Sequence, residues 1–394
     1  MLAVWSTLVS QFWQKTSVFF MSIYLDFNAT CPVLPEVADL VYKIMTEQYG
    51  NAGSRTHEYG LAAKRAVERA RSQVANIVNA DKTEVIFTSG ATESNNIVIL
   101  GLREIAEQTG KKHIITSKIE HKAVLEPMEY LQHKGFDVTF LDVDSGGQVQ
   151  IADLKDALRE DTLLVSVMHI NNETGSIQPI EEICKLLDGH DAYFHVDAAQ
   201  SFGKYSFGLD NQRIDFISAS GHKLYAPMGV GALIMRRRGF TSPPLRPIYL
   251  GGGQERGLRS GTLATPLIAG FGLACELAFQ NAESWISHVS NLKREFIQLL
   301  SEFGAEINGR NTSPYVLNFS VPGINSEAAM VKFKGVIAVS NGSACTSSSY
   351  TPSHVLSAMS LNQERLSGAI RASFGIGTTQ IPTIKIRSAL ESLM

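Results

Sequence analysis

The spacing of apolar and polar positions changes several times along this chain, and each change predicts a different element. Over 35–48 the apolar residues Val37, Leu40, Val41, Ile44 and Met45 recur at helical intervals, and a second helix is expected over 59–79. A short strand over 23–27 precedes them, closed by the turn Asn28-Ala29-Thr30-Cys31-Pro32. From 85 onward, brief near-continuous apolar runs alternate with helical stretches. The runs at 85–88, 113–116, 138–141, 163–168, 193–196 and 214–219 read as strands, with helices starting near Glu93, Lys122 and Ile151. Strands without a polar face are covered on both sides, and their alternation with helices predicts a doubly wound, mostly parallel sheet. Pro243, Pro244, Pro247 and Gly251-Gly252-Gly253 break this rhythm. A long helical stretch over 266–300 follows, then a second mixed segment over 315–394, so a large α/β domain and a smaller α/β domain are expected.

Composition narrows the function classes. A chain of 394 residues is long enough for two or three domains. With 44% hydrophobic and 19% charged residues it is an ordinary globular composition, and a net charge of -3 gives no footprint for direct contact with nucleic acid or an anionic membrane. The four cysteines, Cys31, Cys184, Cys275 and Cys345, are widely separated. Without a Cys-x-x-Cys pair they argue against a disulfide framework, a metal site or an iron–sulfur cluster, and they fit a reducing cytoplasm. Residues 1–21 carry an apolar patch (Leu2, Val4, Trp5, Leu8, Phe12, Trp13) interrupted by Ser, Gln and Lys, too short to span a bilayer and without a basic leader region. We expect a dispensable extension there, with Met21 as an alternative start. The run Arg236-Arg237-Arg238 reads as a solvated strand end.

Chemistry gathers where strands end. In open parallel sheets ligands bind at the carboxyl ends of the strands. After the run 85–88 comes Ser89-Gly90-Ala91-Thr92-Glu93, small residues opening a helix whose free N–H groups suit a phosphate. Glu120-His121-Lys122 and Asn171-Asn172-Glu173 follow two further strands, and His121 is placed to stack on a flat ring or shuttle a proton. Asp197 ends another strand, with Gln200 a turn later, where a carboxylate can pair with a protonated ring nitrogen. Ser220-Gly221-His222-Lys223 ends the last, and a lysine there suits Schiff-base chemistry with an aldehyde. Each part alone has an ordinary structural explanation; together they are what a pyridoxal phosphate site requires. Far along the chain, Cys345 sits in a small, polar segment over 339–352 and reads as an accessible nucleophilic thiol. Cys184 and Cys275 lie on helical apolar patterns and read as core, whereas Cys31 fits either setting.

These motifs resemble the cysteine desulfurases of the class V aminotransferase superfamily, in the group with a long catalytic-Cys loop. The resemblance runs from about 23 to 379. It rests on Thr88-Ser89-Gly90-Ala91-Thr92-Glu93-Ser94, Glu120-His121-Lys122-Ala123-Val124, Asn171-Asn172-Glu173, His195-Val196-Asp197-Ala198, Ser218-Ala219-Ser220-Gly221-His222-Lys223, Glu255-Arg256-Gly257-Leu258-Arg259-Ser260-Gly261-Thr262 and Gly342-Ser343-Ala344-Cys345-Thr346-Ser347, in that order. It implies an aspartate aminotransferase-like, fold type I architecture with a seven-stranded sheet. The large domain would cover 33–281, and the small domain 22–32 plus 282–394 would carry the loop over 340–352. It further implies that Lys223 binds pyridoxal 5'-phosphate covalently and that His121 stacks on its ring and acts as acid and base. Asp197 would pair with the ring nitrogen, Asn172 and Gln200 would contact ring substituents, and Ala91, Thr92, Ser220 and His222 would hold the phosphate. Thr262 would reach the phosphate of the neighbouring subunit in a homodimer. Asn51 and Arg371, with Asn172, would bind L-cysteine, and Cys345 would take its sulfur as a persulfide for an acceptor protein.

The chain departs from the pattern in three places. Gly50-Asn51-Ala52-Gly53-Ser54 lacks the usual proline after Asn51, Gly375-Ile376-Gly377-Thr378 lacks a basic residue many relatives carry, and the tail beyond is short. The last of these leaves the sulfur acceptor open among iron–sulfur, tRNA thiolation and DNA phosphorothioation pathways. A selenocysteine lyase or aminotransferase of the same fold, and a catalytically silent sulfur carrier, are the alternatives. The Ser- and Thr-rich segment around Cys345 favours the desulfurase.

Overall fold

A computed structural model describes residues 22–341 and 353–394. The extension over 1–21 and Cys345 lie outside the described residues. The chain opens with β1 (Ile23–Tyr24), shorter than the strand expected from the sequence, followed by the helices Pro35–Glu47 and Glu58–Asn76. The strands β2 (Val85–Thr88), β3 (His113–Ser117), β4 (Asp137–Leu141), β5 (Thr162–Ser166), β6 (Tyr193–Asp197), β7 (Phe216–Ser220) and β8 (Gly231–Met235) form one seven-stranded sheet in the order β2-β8-β7-β6-β5-β3-β4. The sheet is mostly parallel, as the apolar runs require. Only β8 runs against its neighbours, antiparallel to both β2 and β7. The carboxyl ends of the other six strands therefore share one edge, where ligands bind in open parallel sheets.

The sheet is covered on both faces. One buried cluster joins its strands to the helices Pro35–Glu47, Glu58–Asn76 and the first half of the 37-residue helix Thr265–Ser301. A second packs the opposite face with the helices Ala91–Gly101 and Lys122–His133. The far half of Thr265–Ser301 enters a separate core through Val289, Leu292, Phe296, Leu299 and Leu300. That core surrounds β9 (Glu306–Ile307), β10 (Val316–Ser320), β11 (Ile337–Ala338) and β12 (Ala369–Ser373), in which β10 pairs antiparallel with both β9 and β12. Strand β1 pairs with β11, and Leu25 lies within this second core. The two cores thus share one helix.

Arg236-Arg237-Arg238 departs from expectation. The residues do follow a strand end, but Arg236 is buried, and its guanidinium donates to the carbonyls of Val78, Leu209 and Asn211. Arg238 donates to both oxygens of Asp215, at 2.7 and 2.8 Å. Loop ends leave carbonyl oxygens unpaired, and the planar fork of arginine satisfies several at once.

Candidate active site

The tetrapeptide Ser220-Gly221-His222-Lys223 leaves β7 in a single tight turn, Gly221–Lys223. A glycine is required at 221, because a Cβ there would meet Val230 at 2.9 Å. The turn is stitched to the segment after β1. Lys223 Nζ donates to the carbonyls of Asn28 and, at 2.7 Å, Ala29; Cys31 N–H donates to His222 O at 2.8 Å, and Cys31 Sγ–H to Lys223 O at 3.3 Å. His222 Nδ1 lies 3.2 Å from Thr30 Oγ1. Burial, with Lys223 and Lys204 nearby, pushes the His222 imidazole down to about 4, so it is neutral near pH 7.

Asp197, at the end of β6, is 5% exposed. One carboxylate oxygen accepts from Ala199 N–H at 2.9 Å and the other from Asn95 Nδ2 at 2.8 Å. These donors hold the carboxyl group in orientation while lone pairs stay available to a third donor. Asn95 stands on the helix Ala91–Gly101, one turn from its start. That helix begins at Gly90 without a side-chain cap, so its first N–H groups form an uncapped positive end. Ser220 Oγ is only 3.4 Å from where a Cβ on Gly90 would sit. Strand end and helix start therefore bring Ala91, Thr92 and Ser220 to the same corner.

His121 caps the helix Lys122–His133 with Nδ1, which accepts from Ala123 N–H at 3.1 Å. In the neutral ring the proton must then be on Nε2. Crowding by protein disfavours the charged ring, Lys223 and His354 act in the same sense, and Asp197 opposes them; the net effect is a lowered pKa. Asn172 is tied in through its backbone, where its carbonyl accepts from Asn28 Nδ2 at 3.1 Å and from Arg371 Nη1 at 3.0 Å. Arg371, on β12, also pairs with Asp26 at 2.7 Å, and its Nε has no partner among the described residues. Gln200 donates from Nε2 to Asn28 O at 3.1 Å and leaves a buried Oε1 without a partner among the described residues.

Two residues stand apart. Asn51 is exposed, with Oδ1 accepting from its neighbour Gly53 N–H at 2.8 Å. Thr262 is exposed too, although its segment is held against the helix Ala91–Gly101 by Arg259, 2.8 Å from Glu93. Cys345 lies outside the described residues.

Sequence reasoning passed over Asn28 and Asn95. Asn28 is buried and meets Lys223, Gln200, Asn172 and Ser373. It sits in the turn after β1, and these four partners are all remote in sequence. Asn95 had a readable signal, one helical turn beyond Ala91. Cys184 and Cys275 are buried as expected, and Cys31 is buried too.

Residues 23–381 match the aminotransferase class-V family. The chain is 46% identical over 365 residues to the cysteine desulfurase IscS of Vibrio cholerae, an alignment covering 91% of this chain and 89% of that one. Among solved structures it is similar to a NifS-like protein, with a TM-score of 0.85, 36% identity and coverage of 94% of this chain and 98% of that one. It is also similar to SspA in complex with cysteine, with a TM-score of 0.80 and 36% identity over 91% of this chain and 100% of that one.

Proposed function

Because the chain belongs to the class-V aminotransferase family and, within it, to the cysteine desulfurases, we propose that it converts L-cysteine to L-alanine and holds the sulfur as a persulfide on Cys345. The observation that carries this reading is the meeting of Lys223, the supported carboxylate of Asp197 and the uncapped helix start at Gly90 on one sheet edge. These residues fit pyridoxal phosphate: a lysine amine for its aldehyde, an acceptor for its ring N–H, a positive helix end for its phosphate, and the unpartnered Gln200 Oε1 for a ring substituent. When bound, the cofactor draws electrons from the substrate's α-carbon.

The chain's own residues supply the rest. Lys223 binds the cofactor and moves a proton at the substrate α-carbon, and neutral His121 stacks on the ring and exchanges a proton at Nε2. Asp197 accepts from the ring nitrogen, Asn172 and Gln200 orient the ring, and Ala91, Thr92, Ser220 and His222 hold the phosphate. A homodimer brings Thr262 of the partner subunit to the same phosphate. Asn51, Asn172 and Arg371 bind the substrate, with the Arg371 guanidinium on its carboxylate. The Cys345 thiolate then bonds to the substrate sulfur as the C–S bond breaks. The C–S electron pair stays with carbon, which gains a proton, so a thiol and L-cysteine give L-alanine and a persulfide without an external oxidant.

An acceptor protein takes the sulfur onward, for iron–sulfur clusters, other sulfur-containing cofactors or nucleic-acid thiomodification. Direct contact with nucleic acid or membrane is not part of this reading; among the described residues no helix is long and apolar enough to cross a membrane. A reducing, cytoplasmic setting suits the free thiols of Cys31, Cys184 and Cys275. The body over 33–281 carries the cofactor, and 22–32 with 282–394 carries the thiol. The test is mass spectrometry of purified holoenzyme after L-cysteine. A gain of one sulfur at Cys345, absent in Lys223→Ala, is expected; unchanged sulfur delivery by Cys345→Ala would remove that residue as the nucleophile.

A further inference from the structure

Two stems lead into and out of residues 342–352, and both are fastened to the site. On the entering side Ser340 exchanges backbone hydrogen bonds with Arg371, N–H to carbonyl at 3.1 Å and the reverse at 2.6 Å. On the leaving side Ser353 Oγ bonds Glu173 Oε2 and caps the helix His354–Ala358, accepting from Leu356 N–H at 3.1 Å. A hydroxyl has one proton, so with Leu356 donating into it, Ser353 donates to Glu173. His354 Nε2 adds a bond to Glu120 O at 2.9 Å. The stems are joined to each other, because Arg371 Nη1 donates to the carbonyl of Asn172, the residue before Glu173. From Ser340 through Arg371, Asn172 and Glu173 to Ser353 the links are unbroken.

Glu173 is 4% exposed, and a carboxyl group taken out of water is costly unless a hydrogen bond compensates it. Its partner here is the first described residue after the Cys345 segment. We propose that Glu173 is a positioning residue for sulfur transfer: through Ser353 it fixes the leaving stem of that segment in register with Arg371, without touching L-cysteine. The proposal rests on the reading of Cys345 as the atom that bonds to the substrate sulfur. Loss of the link slows the step in which the C–S bond is exchanged for an S–S bond, and spares the steps before it.

The experiment compares holoenzyme of the wild type with Glu173→Ala, Ser353→Ala, their double variant and Glu173→Gln. Four readouts are taken: cofactor absorbance and its change with L-cysteine, KM and kcat for alanine release, single-turnover sulfur gain at Cys345, and amide exchange at Leu356 in cofactor-free protein. We expect unchanged absorbance, KM within about twofold and sulfur gain slowed on the order of tenfold in each single variant, a difference of about 1.4 kcal/mol. The double variant is expected to be no slower than either single, as residues in one link are non-additive. Glu173→Gln keeps an acceptor for Ser353 and is expected to recover most of the rate, and Leu356 exchange rises in Glu173→Ala alone of the two Glu173 variants. Wild-type sulfur gain in both alanine variants, additive losses, or KM and absorbance changing along with the rate would each overturn the proposal. If Glu173→Ala yields no folded protein, Ser353→Ala and Glu173→Gln decide from the other side of the link. A wild type that forms alanine but no Cys345 persulfide overturns the functional reading instead.

Discussion

Glu120 has one carboxyl oxygen engaged, by Ser117 Oγ–H at 2.6 Å and Met168 N–H at 3.0 Å, and the other without a partner among the described residues. Burial pushes its pKa from 4.5 up to about 8, with Ser117 and Met168 pulling down and Asp197 adding to the rise. A raised carboxyl pKa means the folded protein keeps a proton that the unfolded chain releases. Its contribution to stability is full below about 4.5 and is lost as pH rises toward 8. Glu120→Gln keeps the engaged acceptor and removes the titration. We expect it to flatten the loss of stability between pH 5 and 8 and to gain about 1–3 kcal/mol over the wild type at pH 8, read by urea unfolding at several pH values. A parallel pair of curves would show that Glu120 does not titrate in this range. At this scale the sequence placed Asp197 at a strand end and His121 and Lys223 a few residues beyond one. It did not disclose Glu120 as a proton holder, because its environment comes from Ser117, Met168 and Asp197, which only the fold brings together.

At the scale of elements, the corner between β2, β8 and the helix Ala91–Gly101 depends on a missing side chain. Gly231 pairs across β8 with Thr88 on one side and Ser220 on the other. A Cβ there would lie 2.5 Å from both Gly90 Cα and Ala219 O, atoms of backbone that cannot swing aside. Gly231→Ala is expected to cost about 1–3 kcal/mol through overpacking and to weaken cofactor retention, because the strain falls on the helix start proposed above to hold the phosphate. Thermal unfolding and dialysis of the loaded protein measure the two effects; full retention would dissociate this corner from cofactor binding. The alternation of apolar runs made the parallel strands legible; β8 was not among the runs read as strands, and its reversal leaves no local mark, since a run buried on both faces reads alike in either direction.

At the scale of the molecule, Glu255 fastens the segment that ends at Thr262 to the sheet. Its carboxylate takes two hydrogen bonds from Arg71, at 2.7 and 2.8 Å, and one from Phe87 N–H at 2.7 Å. Both charges are buried. Glu255→Ala removes the bidentate partner of Arg71 and leaves the guanidinium with the half-exposed Glu68, 3.3 Å from Nε, so a loss of up to about 3–5 kcal/mol is expected, measured by denaturant unfolding, together with weaker association of the proposed homodimer by sedimentation as the Thr262 segment loses its anchorage. An unaltered association constant would separate the Glu255 anchorage from the proposed dimer.

The sequence by itself determined the mostly parallel sheet and its covering helices, through the period of its apolar residues, and placed Asp197, His121 and Lys223 at or just beyond strand ends. Those signals are local, carried by neighbours within a few residues. Only the tertiary structure decided that Asn28 meets Lys223, Gln200 and Asn172, that Asn95 supports Asp197, that Arg236 is buried, and that Glu173 reaches Ser353. Such contacts join residues far apart in sequence, and their partners are settled by how the two cores close around the shared helix Thr265–Ser301. Periodicity within one segment carries no record of what another segment will bring to it.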